Sequence, residues 1–362
     1  MLDDLEKVTI YTAEASFIDE SKVQVKTDNE QFEISADRFF INTGSSPIIP
    51  SIKGLEHTDF VYHSTTLQAL DKLPEKLIII GGGYIGLEFA SIYANFGSEV
   101  TIIDRSSEFL PREDRDIAEE VKKVLEAKNI KIEVGSKVES VENHDGGVIV
   151  SYQTSENNRV EAYGAAVLLA TGRKPNTDGL GHENTSVEID DKGAIVVNDL
   201  LKTTVDHIWA LGDVNGGPQF TYISLDDFRI IKDGLFEDGK YTKKKRSNVP
   251  YSVFIDPILS HVGLNEKMAK EKGVNYKVVT LPAATIPRAR IVKQTDGLLK
   301  ALIDPSTNEI LGCTLYCAES SEMINTVRIV MEAKLPYTFL RDNIFTHPSM
   351  NESLNDLFSQ ME

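Results

Sequence analysis

The chain runs to 362 residues and carries 38 Lys and Arg against 56 Asp and Glu, a formal net charge of −18. That length exceeds one domain's worth of core, so two or three domains are expected, and long-range repulsion argues against nucleic acid or an acidic membrane surface as a partner. Two cysteines, an acidic opening (MLDDLEKV) without a signal peptide's apolar core, and the lack of a credible membrane span predict a soluble cytoplasmic protein.

The opening segment alternates in strand fashion over Lys7–Thr12, Ala15–Ile18, Lys22–Val25 and Gln31–Ile34, with polar turns between, and predicts a meander. It closes on RFFINTGSSPIIP (Arg38–Pro50), a buried strand running into Thr43 and Gly44 and then a proline-punctuated crossover.

The stretch LIIIGGGYIGLEFASIYANF (Leu77–Phe96) organises the chain around it. Leu77–Ile80 is a short apolar run of the kind that makes a buried parallel strand, and it enters Gly81, Gly83 and Gly86 at GxGxxG spacing. The apolar period then turns helical, with Ile85, Phe89, Ile92, Tyr93 and Phe96 on one stripe and Gly97 where a left-handed C-cap would sit. Glycines at this spacing allow a tight turn, close approach of a pyrophosphate, and packing of helix on strand. Phosphate would then lie at a helix N-terminus, where free N–H groups and the helix dipole favour negative charge, with Gly82, Tyr84 and Ile85 counted with the three glycines as cofactor-binding residues. A glycine turn in an unrelated α/β unit shares this pattern, whereas Glu88 and the glycine triplet argue against a membrane span. A second strand, Glu99–Ile103, ends at Asp104, where a carboxylate can accept both ribose hydroxyls of NAD. Asp104 would repel a 2′-phosphate, which favours NAD, while Arg105 and Arg112 stand close enough in sequence to admit NADP.

An amphipathic helix is expected near Asp114–Lys128, with Ile117, Val121, Val124 and Leu125 on its stripe. Strands are then expected at Ile130–Val134, Gly147–Tyr152, Val160–Tyr163 and Ala166–Ala170, the last running into Thr171, Gly172, Arg173, Lys174 and Pro175 and repeating the strand-then-TG device. Another short strand, Ile208–Gly212, terminates in Asp213, Val214 and a glycine pair. Asp213 is placed either to meet a nucleotide's sugar hydroxyls or to cap the next helix.

GGGYIGLE, the two TG turns and GDVNGG, in this order and at these separations, resemble the pyridine nucleotide-disulfide oxidoreductases, the flavoenzyme family of glutathione reductase and dihydrolipoamide dehydrogenase. FTYISLDDFRI, VPYSVF, TIPRARIV and FTHPSMNESLNDLF extend the match over essentially the whole chain from Val8. The resemblance implies an α/β fold with Rossmann-like FAD and NAD(P) domains and a C-terminal α+β dimerisation domain. The residual FAD domain would comprise 1–65 and 173–245, the NAD(P) domain 66–172 and the dimerisation domain 246–362. FAD contacts would fall on Thr43, Gly44, Thr171, Gly172 and Asp213, with Glu88 near the nicotinamide end. The implied activity passes hydride from NAD(P)H to flavin and on to a disulfide or metal-ion acceptor, Cu(II) among them. The basic run Lys243–Arg246 reads as a solvated interdomain link.

In the last domain, strands are expected at Tyr276–Leu281, Leu298–Ile303 and Ile310–Cys317 and helices at Ser320–Ala333 and Tyr337–Ile344, an α+β layer whose sheet the family would place at a homodimer interface. Arg288 and Arg290 face either the dimer or solvent. His347, Pro348 and Glu352 form HPxxxE. Alone, His347 is a surface-loop residue; in the family it is the acid–base group that reaches the partner subunit's flavin, held by the Glu, with a cis His-Pro bond. No His, Cys or carboxylate cluster has metal-ligand spacing. Cys313 and Cys317 share a strand, where their α-carbons would stand ~13 Å apart, too far for a disulfide. Family members begin with a glycine-rich FAD turn and a CxxxxC pair that this sequence does not contain. A catalytically silent NAD-binding homodimer is therefore the alternative expectation.

Overall fold

A computed structural model describes residues 5–361; residues 1–4, the first half of the acidic opening, and residue 362 lie outside the described residues. The chain folds into two compact units, one from Met1–Ser46 with Arg173–Arg246 and the other from Pro47–Gly172 with Ser247–Glu362.

In the first unit, Glu14–Asp19, Lys22–Lys26 and Gln31–Ser35 form the expected antiparallel meander. Its alternation turns Phe17 and Val25 inward. The expected strand over Lys7–Thr12 does not form. Val8, Ile10 and Tyr11 stay about half exposed because no described strand pairs with them; the Val8 N–H turns back to the Leu5 carbonyl and the Tyr11 ring meets Phe32. Phe39–Ile41 pairs in parallel with Ile208–Ala210, which is shorter than expected because Gly212 opens a 3-10 turn. Ile41, Ile208, Ala210 and Val214 join Phe17, Val187, Ile195 and Val205 in one core. The basic run is not a solvated link throughout. Lys243–Lys245 is a 3-10 turn, and the Arg246 side chain, 11% exposed, pairs with Asp226 and Asp227. The guanidinium's fork matches two carboxylates, and their attraction offsets the cost of its desolvation.

The second unit is built on a five-stranded parallel sheet in the order Val61–Tyr62, Ala166–Leu169, Lys76–Ile80, Glu99–Ile103, Ile130–Glu133. Its central strand is apolar from Leu77 onward because both faces are covered. Leu77 and Ile79 pack with helices Tyr84–Asn95 and Arg115–Ala127. Ile78 and Ile80 pack beneath an antiparallel sheet of Lys137–His144, Gly147–Gln153 and Arg159–Gly164. The first strand of that sheet, KVESVENH, carries too few apolar residues to be read as one.

The C-terminal part of this unit is a second five-stranded sheet, Tyr251–Val253, Leu259–Gly263, Ile310–Tyr316, Leu298–Ile303, Lys277–Pro282, antiparallel throughout. Helices Ser320–Glu332 and Ser353–Ser359 lie on it, the α+β layer expected. The helix expected over Tyr337–Ile344 is only Thr338–Arg341. The Asn355 amide takes the carbonyls of Leu340, Arg341 and Asn343, which ends the turn and leaves Ile344 in solvent. Cys313 and Cys317 are both free and buried, and burial pushes both thiols up, Cys317 to about 12.

Candidate functional site

The glycine turn sits where the Lys76–Ile80 strand leaves the parallel sheet and helix Tyr84–Asn95 begins. Each glycine answers a different contact. Gly81 has φ 110°, and a Cβ there would lie 2.4 Å from the Ala170 carbonyl oxygen. At Gly86 a Cβ would lie 2.2 Å from the Gly81 oxygen, so helix and strand could not close on each other. Gly83 is the reverse: nothing stands within 4 Å of its Cβ position. No side chain caps the helix at Gly83, and the N–H groups of Tyr84, Ile85 and Gly86 precede the first i→i−4 bond, Leu87 to Gly83. The turn therefore offers an open approach to uncapped donors at the positive end of a helix dipole, which suits a pyrophosphate.

Asp104 comes directly after the adjacent strand, Glu99–Ile103, and is brought to the same turn. Its Oδ1 accepts from the Ser106 N–H at 3.2 Å, and Oδ2 lies 2.7 Å from where a Cβ on Gly82 would be. A side chain at 82 would push this carboxylate aside. Arg105 and Arg112 are exposed.

Glu88, one turn into the helix, lies in an open groove of about 690 Å³ lined also by Phe89, Ile92, Tyr93, Phe96 and Gln68. Burial raises its carboxyl pKa, and the Phe254 N–H at 2.8 Å partly offsets that. This groove corrects the helical stripe: Ile92 and Phe96, the latter 72% exposed, line it, while Leu87, Ala90 and Ser91 face the core and Phe89 touches both.

In the other unit, Thr43, Gly44 and Asp213 come together. Thr43 Oγ1 donates to the Asn176 carbonyl at 2.7 Å, and the Asn176 N–H donates to that of Gly44 at 2.9 Å. Ser45 Oγ donates to Asp213 Oδ2 at 2.6 Å, and Arg173 Nε holds Ser45 Oγ at 2.8 Å. Asp213 lies within a 3-10 turn and does not cap the following helix, which has no side-chain cap. Gly44 and Gly172 both have positive φ, and a Cβ on Gly44 would meet nothing within 4 Å. Open glycine backbone and a nearby carboxylate fit a nucleotide's phosphates and sugar. Thr171 and Gly172 belong to the other unit, bonded to Ile48 on both sides.

Near the C-terminus the His347–Pro348 peptide is cis, as expected; the Asp256–Pro257 peptide is cis as well, which no motif signals. His347 Nδ1 lies 2.7 Å from Glu352 Oε2, while Glu352 Oε1 accepts the Ser349 N–H at 3.1 Å. The carboxylate is thus fixed by backbone and in turn fixes the imidazole, whose side chain is 70% exposed. Arg290 folds back onto the Ala284 carbonyl and Arg288 lies 3.8 Å from Glu319. Among the described residues no group of three His, Cys, Asp or Glu side chains is placed to hold a metal ion, and no helix is long and apolar enough to cross a membrane.

Three residues of consequence carry little or no signal in the sequence. Asp227, 1% exposed, accepts from the Gly212 N–H at 2.8 Å and Asn215 Nδ2 at 3.0 Å and pairs with Arg246, so it pins the turn that carries Asp213. Glu113 lies buried against Tyr84. Lys300 lies buried among three carboxylates. Only the paired acids of SLDDFRI hint at the first; a strand lysine and a loop acid give no sign of the others.

The sequence pattern of the pyridine nucleotide-disulphide oxidoreductases matches residues 1–227, and the pattern of that family's dimerisation domain matches residues 249–358. RclA from Escherichia coli (strain K12) is 49% identical over 358 residues, 99% of this chain and 80% of that protein. A mercuric reductase from Lysinibacillus sphaericus is 36% identical, and the match spans 94% of this chain and 61% of that enzyme. A dihydrolipoyl dehydrogenase from Bacillus subtilis (strain 168) is 32% identical, over 96% of this chain and 73% of the enzyme. Among solved structures, the Cu(II) complex of the HOCl-induced flavoprotein disulfide reductase RclA from Escherichia coli superposes with a TM-score of 0.96 at 48% identity, covering all of this chain and 81% of that one.

Proposed function

The chain belongs to the pyridine nucleotide-disulphide oxidoreductase family of NAD(P)H-dependent flavoprotein oxidoreductases, and on that footing we propose which residues carry the reaction and what accepts the electrons. Residues 66–172 bind the dinucleotide, residues 1–65 and 173–245 bind FAD, and residues 246–362 form a homodimer, in the cytoplasm. The N–H groups after Gly83 take the pyrophosphate, Asp104 takes the ribose hydroxyls and selects NAD over NADP, and Glu88 stands at the nicotinamide end. Thr43, Gly44 and Asp213 hold FAD. When bound, the flavin supplies passage from two-electron donor to acceptor. His347, oriented by Glu352 through Nδ1, holds and releases a proton at Nε2. The acceptor is a disulfide or a metal ion, and the Cu(II) complex of the RclA structure supports Cu(II) as the metal-ion candidate.

The observation that carries this reading is the uncapped helix start at Gly83 with the Asp104 carboxylate beside it. Purified protein should show a flavin absorption band that bleaches on adding NADH and recovers with Cu(II) or a disulfide. Colourless protein that ignores both FAD and NADH would remove the reading.

One observation favours a second reading, a catalytically silent NAD-binding homodimer. Both cysteines are buried, and their thiols, raised by burial, are poor nucleophiles. Tight NADH binding without turnover of any acceptor would favour it; sustained diaphorase activity would eliminate it.

A further inference from the structure

Tyr84, the first residue of the glycine-turn helix, is tethered by a carboxylate of its own domain that a C-terminal residue shares. Its phenol donates to Glu113 Oε1 at 2.6 Å, and the same oxygen accepts the phenol of Tyr251 at 2.7 Å. The two rings stack with centroids 5.5 Å apart, and the Tyr251 ring also meets the His261 ring at 5.2 Å. Tyr251 and His261 are register partners in the C-terminal sheet. Glu113 is buried, and its loop is fastened to the same C-terminal domain: Asn265 Nδ2 donates to the Arg112 carbonyl at 2.7 Å, and the Glu266 N–H donates to Asp114 at 3.0 Å. Burial, reinforced by the Glu113 charge, pushes both phenols up, so they stay neutral donors across the working pH range.

We infer that Glu113, together with Tyr251, is a positioning residue for the dinucleotide: it fixes the first helical turn through the Tyr84 phenol, so that the C-terminal domain contributes to NAD(H) affinity. The inference rests on the reading that the Gly81–Gly86 turn takes the dinucleotide. A turn held in place before binding spares the ligand the cost of ordering it, which appears as affinity rather than as rate. Glu113 itself touches no ligand; it acts only through the ring of Tyr84.

The experiment is a fluorescence titration of the full chain with NADH, with a thermal melt of each variant. Glu113→Leu and Tyr251→Phe should each raise the Kd by about five- to tenfold, the scale of one lost ordinary hydrogen bond. At saturating NADH, turnover should stay near wild type. Glu113→Gln keeps the acceptor oxygen and should stay within about twofold of wild type, which a general requirement for a charge at 113 would not give. The double variant Tyr84→Phe with Glu113→Leu should bind no more weakly than Glu113→Leu alone, because both remove one coupling. Unchanged Kd in Glu113→Leu and Tyr251→Phe would overturn the inference, as would losses that multiply in the double variant. If Glu113→Leu does not fold, Tyr251→Phe and Tyr84→Phe make the same comparison. A wild-type chain that binds no NADH would take the dinucleotide site away as well, a result distinct from normal binding that ignores position 113.

Discussion

Lys300 Nζ lies 3.0 Å from Asp114 Oδ2, joining the C-terminal sheet to the loop that starts helix Arg115–Ala127 of the dinucleotide-binding part. Lys300 is 1% exposed, and Asp116 at 2.8 Å and Glu266 at 2.6 Å complete its shell. Asp114 occupies the N-cap position of that helix, yet its carboxylate caps nothing there and turns to Lys300 and the Glu266 N–H.

This cluster should make stability depend on pH at both ends. Lys300 holds the Glu266 carboxyl below the usual range, so that contribution is present above the ordinary Glu value of about 4.3 and is lost as pH falls through the lowered one. Despite its burial, the carboxylates hold the Lys300 ammonium above its usual range, so its contribution is present below about 10.4 and is lost as pH rises through the raised value. Lys300→Met, which leaves Asp114 buried and unpaired, should cost about 3 kcal/mol or more near neutrality and flatten both limbs. Urea unfolding across pH is the measurement; an unchanged profile would contradict the assignment.

The glycines should separate fold from function. Gly86→Ala drives a Cβ to 2.2 Å from a backbone oxygen and should cost about 1–3 kcal/mol while abolishing NADH binding. Gly83→Ala meets no protein atom and has a φ of −75°, open to any residue, so stability should fall by at most about 1 kcal/mol. NADH affinity should nonetheless fall by about tenfold, because the methyl group occupies the approach to the helix start. Melting curves and NADH titrations of the pair decide it, and equal NADH binding by Gly83→Ala and wild type would be the adverse result.

Asp104 should set the nucleotide preference. Asp104→Asn should weaken NADH by about tenfold and narrow the gap to NADPH, since the charge that repels a 2′-phosphate is gone while Arg105 and Arg112 remain. The ratio of kcat/KM for the two nucleotides reports this directly.

His347→Gln should lower acceptor turnover by about 10²–10⁴, the range for a positioned acid or base. Because the side chain is 70% exposed and bonded only to Glu352 among the described residues, the melting temperature and NADH affinity should not move. A comparable fall in stability would place the residue among structural groups instead.

The parts legible in the sequence are those where period and glycine spacing determine geometry. The run Leu77–Ile80 needs two apolar faces and finds them, and Asp104, one strand over, can only end beside the turn. Ile92 and Phe96 mislead because a helical stripe does not say whether it faces a core or a groove. Arg246 misleads because a basic run looks solvated until two carboxylates of the preceding helix, Asp226 and Asp227, fold back against it. Glu113 and Lys300 are invisible for the same reason: their partners are assembled by tertiary contact, at separations no local pattern encodes.

The division of the chain into two interleaved units governs the order in which it can assemble during synthesis. Phe39–Ile41 leaves the ribosome early but must wait for Ile208–Ala210, with the whole of residues 47–172 translated between them. The parallel sheet of that insert contains all its own strands and can close first, shortening the entropic span that the waiting strand must bridge. Until Trp209 emerges, Phe40 lacks the ring it stacks on in the folded unit, so this early segment carries unpaired strand edge and apolar surface through the synthesis of the insert.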